Sequence, residues 1–144
     1  MQIKSVIVAA KRTPIGSFQG QLSSLTASDL ASHLIINIMR DLDIPADAVD
    51  EVILGNVLSA GQGQSPARQA AIKGGLPNTV ETMTINKMCG SGLKAIMLAD
   101  QAIKCNSAEI IIAGGMESMS NAPHILENFR TGNKLGHSKV IDSV

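Results

Sequence analysis

Short apolar runs rich in β-branched residues alternate with stretches of helical period along residues 3–113, and that alternation leaves few folds open. Residues 3–10, with Ile3, Val6, Ile7 and Val8, form the first run, and Pro14 and Gly16 then turn the chain into a loop. Thr26 and Asp29 have the spacing of a capping box. Leu30, Leu34, Ile38 and Leu42 recur every four residues behind them, with Ala31, Ile35 and Met39 alongside, as one face of a helix that Pro45 ends. Val52, Ile53 and Leu54 make a second short strand. Ser65-Pro66 announces a helix with Ser as cap and Pro at its first position, and Gly74-Gly75 with Pro77 stops it. Residues 79–85 alternate as a third strand, and 90–104 carry Leu93, Ile96, Met97 and Ile103 at helical spacing. Residues 109–113 form a fourth strand, nearly all apolar. Strand and helix in this order predict an α/β fold, a mostly parallel sheet flanked by helices with βαβαβαβ connectivity.

Composition narrows the function. In 144 residues, 44% are hydrophobic and 17% charged, enough apolar material for a core. Twelve Lys and Arg balance twelve Asp and Glu, so the basic excess of a nucleic-acid binder is missing. Two Phe and no Trp or Tyr leave no aromatic platform for stacking bases. No run approaches the roughly 18 to 20 apolar residues that a membrane span needs. The first apolar run is too short for a secretory signal and meets Lys11 and Arg12 at once. With two cysteines and no disulfide framework, the expectation is a soluble protein of the cytoplasm. Asp41, Asp43, Asp47, Asp50 and Glu51 crowd one turn and are expected to be a solvated connection. Residues 116–144 show no sustained period and are expected to leave the domain as an excursion.

The chemistry concentrates at Ile85-Asn86-Lys87-Met88-Cys89-Gly90-Ser91-Gly92-Leu93-Lys94-Ala95-Ile96, where a strand runs into a glycine-containing turn that opens a helix. Unpaired amides and the positive end of the dipole at a helix start favour an anion, and so favour the thiolate of Cys89, the nucleophilic form of a cysteine. Gly90 and Gly92 leave room for a substrate, and the Cys89 amide is placed to donate to an oxyanion. The pattern alone also fits a small buried cysteine beside packing glycines. Cys105 lies 16 residues on, about 24 Å along the same helix, so the two cannot pair, and it sits at the end that disfavours a thiolate. Gly61-Gln62-Gly63 and Gly114-Gly115 lack a complete nucleotide-binding fingerprint and are expected to be turns. Glu117 is either a residue that orients the site's loops or an ordinary hydrogen-bonded turn residue. Metal-ligand spacing is absent.

The run Asn86-Lys87-Met88-Cys89-Gly90-Ser91-Gly92-Leu93-Lys94-Ala95-Ile96 resembles the nucleophile signature of the thiolases. Arg12-Thr13-Pro14-Ile15-Gly16, Gly61-Gln62-Gly63-Gln64-Ser65-Pro66-Ala67-Arg68-Gln69-Ala70 and Ala113-Gly114-Gly115-Met116-Glu117-Ser118-Met119-Ser120 agree with it in order and spacing. The match is closest to the biosynthetic acetyl-CoA acetyltransferases of that family and covers essentially the whole chain. The resemblance implies the N-terminal half of the layered thiolase fold. It places a nucleophile-bearing domain at 1–118, the start of a loop and tetramerisation excursion at 119–144, and a C-terminal half outside this sequence.

It implies an acyl-CoA acyltransferase in which Cys89 carries the acyl group. Two acetyl-CoA are joined to acetoacetyl-CoA plus CoA, or a 3-ketoacyl-CoA is split, in lipid and fatty acid metabolism. Coenzyme A thioesters are its substrates, and no cofactor is permanently bound. It further implies a homodimer through the strand at 79–85 and a tetramer through 119–144. The family's general base and second cysteine lie in the other half, and so do most CoA contacts. The family's fifth strand also follows the excursion, so a bare sheet edge is expected. His33, His124, His137 and Cys105 match no catalytic motif. The chain alone is therefore expected to lack turnover. Two alternatives accompany this: a condensing enzyme of the ketoacyl-synthase type, and a catalytically silent truncated thiolase acting as an assembly partner.

Overall fold

A computed structural model describes residues 4–144. Three parallel strands, β1 (Glu51–Gly55), β2 (Glu81–Ile85) and β3 (Ile111–Gly115), form one sheet in the order β2-β1-β3. The central strand β1 is a continuous apolar run buried on both faces, as parallel sheets require. Val52 and Leu54 point into a core shared with two helices, α1 (Ala27–Leu42) and α2 (Pro66–Lys73). Alternation turns Ile53 to the opposite face, on which α3 (Ser91–Lys104) packs. The predicted α/β class is the one observed, with helices on both sides of the sheet.

Local chemistry explains the helices. The Asp29 amide donates to Thr26 Oγ1 at 3.2 Å and the Thr26 amide to Asp29 Oδ2 at 3.1 Å, the reciprocal capping box expected from the spacing. Asp43 in the left-handed conformation ends α1 two residues before Pro45. The stripe of α1 that is fully buried is Ala27, Ser28, Ala31, Ser32 and Ile35, while Leu30, Leu34, Ile38 and Leu42 flank it half-buried. Small residues win because α2 presents Ala67, Ala70 and Ala71 and approaches closely. A Cβ on Gly74 would sit 2.7 Å from Ile35 Cγ2. Pro66 opens α2 as expected. Ser65, however, has φ +45°, outside the extended backbone of a capping residue, and makes no side-chain cap; the Ala67 amide donates to Thr84 Oγ1 on β2 at 3.0 Å instead.

Several expectations are corrected. Ile3 lies outside the described residues, and 4–10 form no strand, with Val6, Ile7 and Val8 70–79% exposed. A strand needs a neighbour for its backbone groups, and none lies beside this segment among the described residues. Side chains alone tether it, Ser5 to Asp100 on α3 and Lys11 to Asp41 on α1. On α3, Leu93, Ile96 and Met97 face outward, while Ser91, Ala95 and Ala99 meet the sheet. The predicted apolar face is thus the outer one.

The fourth predicted strand is displaced by two residues, because Asp50 takes the amides of Glu109 (2.7 Å) and Ile110 (3.0 Å) on Oδ2 and so delays the ladder. Those two amides also hold the Asp50 carboxyl below its usual range. Asp50 is therefore a clip where the strands begin, while it stays exposed as Asp41, Asp43 and Asp47 do. Its own amide bonds to Ile110 and its carbonyl accepts from Glu81.

Gly114 and Gly115 lie within β3, and only the Gly61–Gly63 stretch keeps its predicted turn character, with φ +74° and +80° at the two glycines. The tail from 116 onward holds an antiparallel hairpin, β4 (His124–Leu126) with β5 (Val140–Asp142), which its lack of period concealed. It is clasped to the loop before α1: Ser118 and Asn121 donate to the Leu25 carbonyl at 2.9 and 3.0 Å. Among the described residues, no helix is long and apolar enough to cross a membrane.

Two outcomes follow from this packing. A Cβ on Gly55 would lie 2.5 Å from Ser91 Cβ and 2.8 Å from the Gly92 amide, so Gly55→Ala should destabilise by about 1–3 kcal/mol. Gly92→Ala, whose nearest new contact is 3.6 Å, should be far milder, and denaturant midpoints compare the two. Hydrogen bonds from Lys73 and Thr26 hold the Asp29 carboxyl at about 2, against an ordinary 3.8. Its folded value is depressed, so its stabilisation is present above 3.8 and is lost as pH falls through about 2. Lys73→Ala should move the Asp29 titration upward, which carboxyl NMR would follow.

Candidate active site

The carboxyl ends of β1 and β3 and the loop leaving β2 converge on a cavity of about 370 Å³. Such a crevice at the strand ends is where open α/β sheets bind ligands. Cys89 and Met88 stand on one side of it, Asn56, Val57, Met116 and Glu117 on the others, with Gly55, Gly92 and Gly115 at its base. The floor exists because side chains are missing from it. A Cβ on Gly115 would meet Gly92 Cα at 3.3 Å, so strand and helix touch through bare backbone.

The loop bearing Cys89 is held tightly. Met88 has φ +49°, a conformation that costs a non-glycine residue about 1 kcal/mol or more and must be imposed by its surroundings. Three bonds impose it. Asn86 Oδ1 accepts the Met88 amide at 2.9 Å, Ser91 Oγ accepts the Lys87 amide at 2.8 Å, and the same hydroxyl donates to the Met88 carbonyl at 2.6 Å. The Gly90 and Ser91 amides close turns onto Lys87 and Met88 at 3.1 and 3.0 Å. The Cys89 amide is not among these bonded groups. Its side chain is exposed and its thiol free, one residue before the Gly90 cap that starts α3. No side chain caps those first amides, and Ser91 and Gly92 of that positive helix end line the cavity together with Cys89.

Across the cavity, Glu117 is no simple turn residue. Its Oε1 accepts from Asn56 Nδ2 at 2.6 Å and the Leu58 amide at 3.2 Å, and its Oε2 accepts from the Val57 amide at 2.9 Å. One carboxylate thus shapes the loop at 56–58. Asn56 is 2% exposed, also donates to the Met116 carbonyl at 3.3 Å, and leaves its Oδ1 buried without a partner. A second cavity, of about 430 Å³, is lined by the same Asn56 and by Ser59, Ser65, Thr84 and Asn86, with no cysteine.

Cys105 caps the far end of α3, exposed and free. His33 lies exposed on α1, His124 on β4, and His137 between the hairpin strands; none of the three lines the cavity. Among the described residues, no three His, Cys, Asp or Glu side chains gather as a metal site. Asn56 and the bonding role of Ser91 went unnoticed in the sequence. The available signal was a polar residue placed directly after the buried run Val52-Ile53-Leu54.

Similarity to known proteins agrees with this geometry. The family described as the thiolase N-terminal domain matches residues 5–144. A probable acetyl-CoA acetyltransferase of Escherichia coli K12 is 58% identical over 139 residues, 96% of this chain and 35% of its own length. An acetyl-CoA acetyltransferase of Pseudomonas aeruginosa is 55% identical over the same spans. The crystal structure of the Bacillus anthracis acetyl-CoA acetyltransferase superposes with a TM-score of 0.94 at 37% identity, covering 99% of this chain and 36% of that one. The chain therefore spans about a third of the length of the curated relatives it matches.

The two thiols offer a direct test of the helix-start geometry. The two helix ends, each worth roughly 0.3–1 kcal/mol, should make iodoacetamide modify Cys89 about 3- to 30-fold faster than Cys105. Equal or reversed rates by site-resolved mass spectrometry would remove the electrostatic argument.

Proposed function

Because the chain belongs to the thiolase family, we propose that Cys89 is the acyl-accepting nucleophile of a coenzyme A thioester-dependent acyltransferase. The observation that carries this is the placement of an exposed thiol on a strained corner, beside an uncapped helix start and at the wall of a cavity. The Cys89 thiolate attacks the thioester carbonyl and forms a tetrahedral oxyanion. Collapse of that oxyanion breaks the bond to the CoA sulfur, so that CoA leaves as thiolate and the acyl group stays on Cys89. The Cys89 amide, free of the loop's internal bonds, is the oxyanion donor within this chain.

Acetyl transfer is the preferred chemistry, as the names of the relatives suggest. In synthesis, a second acetyl-CoA would lose a methyl proton and its carbon would attack the acetyl-cysteine to give acetoacetyl-CoA. In the reverse direction a 3-ketoacyl-CoA is cleaved. Apart from Cys89, the one titratable side chain lining the cavity is Glu117, whose oxygens are engaged with three N–H donors. The proton-transfer groups of carbon–carbon chemistry are thus assigned to a second half. In this proposal residues 1–118 are the nucleophile domain and 119–144 begin an assembly excursion. The outward apolar face of α3 and the bare edge of β3 support a covering half. The other sheet edge, β2, suits pairing with its twofold mate in a homodimer. Exposed Ile125, Phe129 and Leu135 in the excursion suit contact between dimers in a tetramer. A cytoplasmic place in lipid metabolism goes with this assignment. The same engaged Glu117 equally favours a second assignment, a chain that takes an acyl group without turning it over.

Incubation with acetyl-CoA should leave one acetyl group on Cys89, and Cys89→Ser should abolish it. General acid and base groups contribute about 10²–10⁴-fold each, so this chain alone should cleave acetoacetyl-CoA at least about 10²-fold more slowly than a full-length relative. Robust thiolysis by the chain alone would refute the division of labour. Acetylation at another residue would refute the nucleophile.

A further inference from the structure

Met88 holds a backbone conformation that its side chain disfavours, and the bonds that impose it do not end within its own loop. The Met88 amide donates to Asn86 Oδ1 at 2.9 Å, and the Asn86 Nδ2 donates in turn to the Val57 carbonyl at 3.4 Å. On the other side of that residue, the Val57 amide donates to Glu117 Oε2 at 2.9 Å. A continuous chain of hydrogen bonds therefore runs from a carboxylate at the end of β3, through loop 56–58, to the residue before the thiol. Its polarity is uniform, because the Leu58 amide, in the same peptide group as the Val57 carbonyl, donates to Glu117 Oε1 at 3.2 Å, so each link donates toward the anion that polarises the series. The other oxygen of the same carboxylate fastens Asn56 and Leu58, which flank Val57, so the middle of the chain is held from both sides.

We propose that Glu117 and Asn86 are positioning residues for acyl transfer, acting through Val57 to keep Met88 in its left-handed conformation and Cys89 aimed into the cavity. The proposal rests on Cys89 being the acyl-accepting nucleophile. Neither residue touches the reacting atoms in it. Their contribution lies in orientation, where a displacement of about 1 Å can cost about 10²-fold in rate. The need for a carboxylate at 117 follows from the donors around it. Three N–H groups meet two oxygens, and an amide there would turn its own N–H₂ against at least one of them.

The test measures acetylation of Cys89 by acetyl-CoA in the intact protein carrying this chain, for Glu117→Gln, Asn86→Ala and the double variant. Misorientation should lower the maximal acetylation rate about 10- to 100-fold in each single variant. The acetyl-CoA concentration for half-maximal rate and the rate of iodoacetamide alkylation, which needs no aligned carbonyl, should stay unchanged. The double variant should be no slower than the worse single one, because both cut the same chain. Single-variant losses that multiply, or a loss confined to acetyl-CoA affinity, would overturn the proposal. Should Glu117→Gln fail to unfold cooperatively, Asn86→Ala decides alone, since Asn86 is exposed and outside the core. A wild-type acetylation rate in that variant overturns the proposal. If the wild-type protein itself takes no acetyl on Cys89, the nucleophile assignment falls; if it does and the variants match it, only the positioning role falls.

Discussion

Where the end of β1 crosses the start of α3, two stretches of backbone meet with almost nothing between them. Gly55 leaves room for Ser91, and Gly115 lies against Gly92. Every other part of the site is arranged around this contact. It brings the first turn of α3 onto the carboxyl ends of the strands, so that the residue just before the helix stands at the rim of the crevice. It also compels α3 to turn its small residues, Ser91, Ala95 and Ala99, toward the sheet and its large ones outward. Side-chain volume at Gly55 would push the helix away and carry Cys89 with it.

Close approach by small residues recurs on the other face. Ala67, Ala70 and Ala71 let α2 settle against α1, and Gly74 admits Ile35. The layers are thus spaced by backbone more than by bulky side chains, in keeping with a chain whose aromatic residues amount to two Phe. Polar groups then do what large side chains do elsewhere. Asp50 gathers the strand starts, Ser91 ties the loop that bears Cys89, and Glu117 gathers loop 56–58.

Much of this was legible in the residues. Thr26 with Asp29, Pro66 after Ser65, and the apolar run 52–54 each state their structure within a few positions, because capping, proline geometry and burial are local effects. The corner carrying Cys89 was legible for the same reason. What was not legible depends on partners distant in the chain. Residues 4–10 have strand composition yet no adjacent strand to bond with among the described residues, and composition cannot supply one. The outward direction of the α3 stripe was not legible, because period locates an apolar stripe without saying what meets it. Asp50 looked like a turn acid, and Glu117 stayed open between a loop organiser and a turn residue, because their donors come from segments tens of residues away. The hairpin after 123 escaped because strands of three residues are too short to establish an alternation.

The seam between residues 17–25 and 118–121 joins parts of the chain almost a hundred positions apart, and Asp50 reaches nearly sixty positions to Glu109. Closing such spans costs chain entropy before any contact rewards it. Ribosomal synthesis delivers the pieces in a fixed order. While β3 is still unmade, β1 has only β2 to pair with, and the Asp50 carboxylate has no amides to collect. The crevice therefore assembles only once β3 has emerged, and until then the Cys89 sulfur stands in a half-built sheet with no wall opposite it.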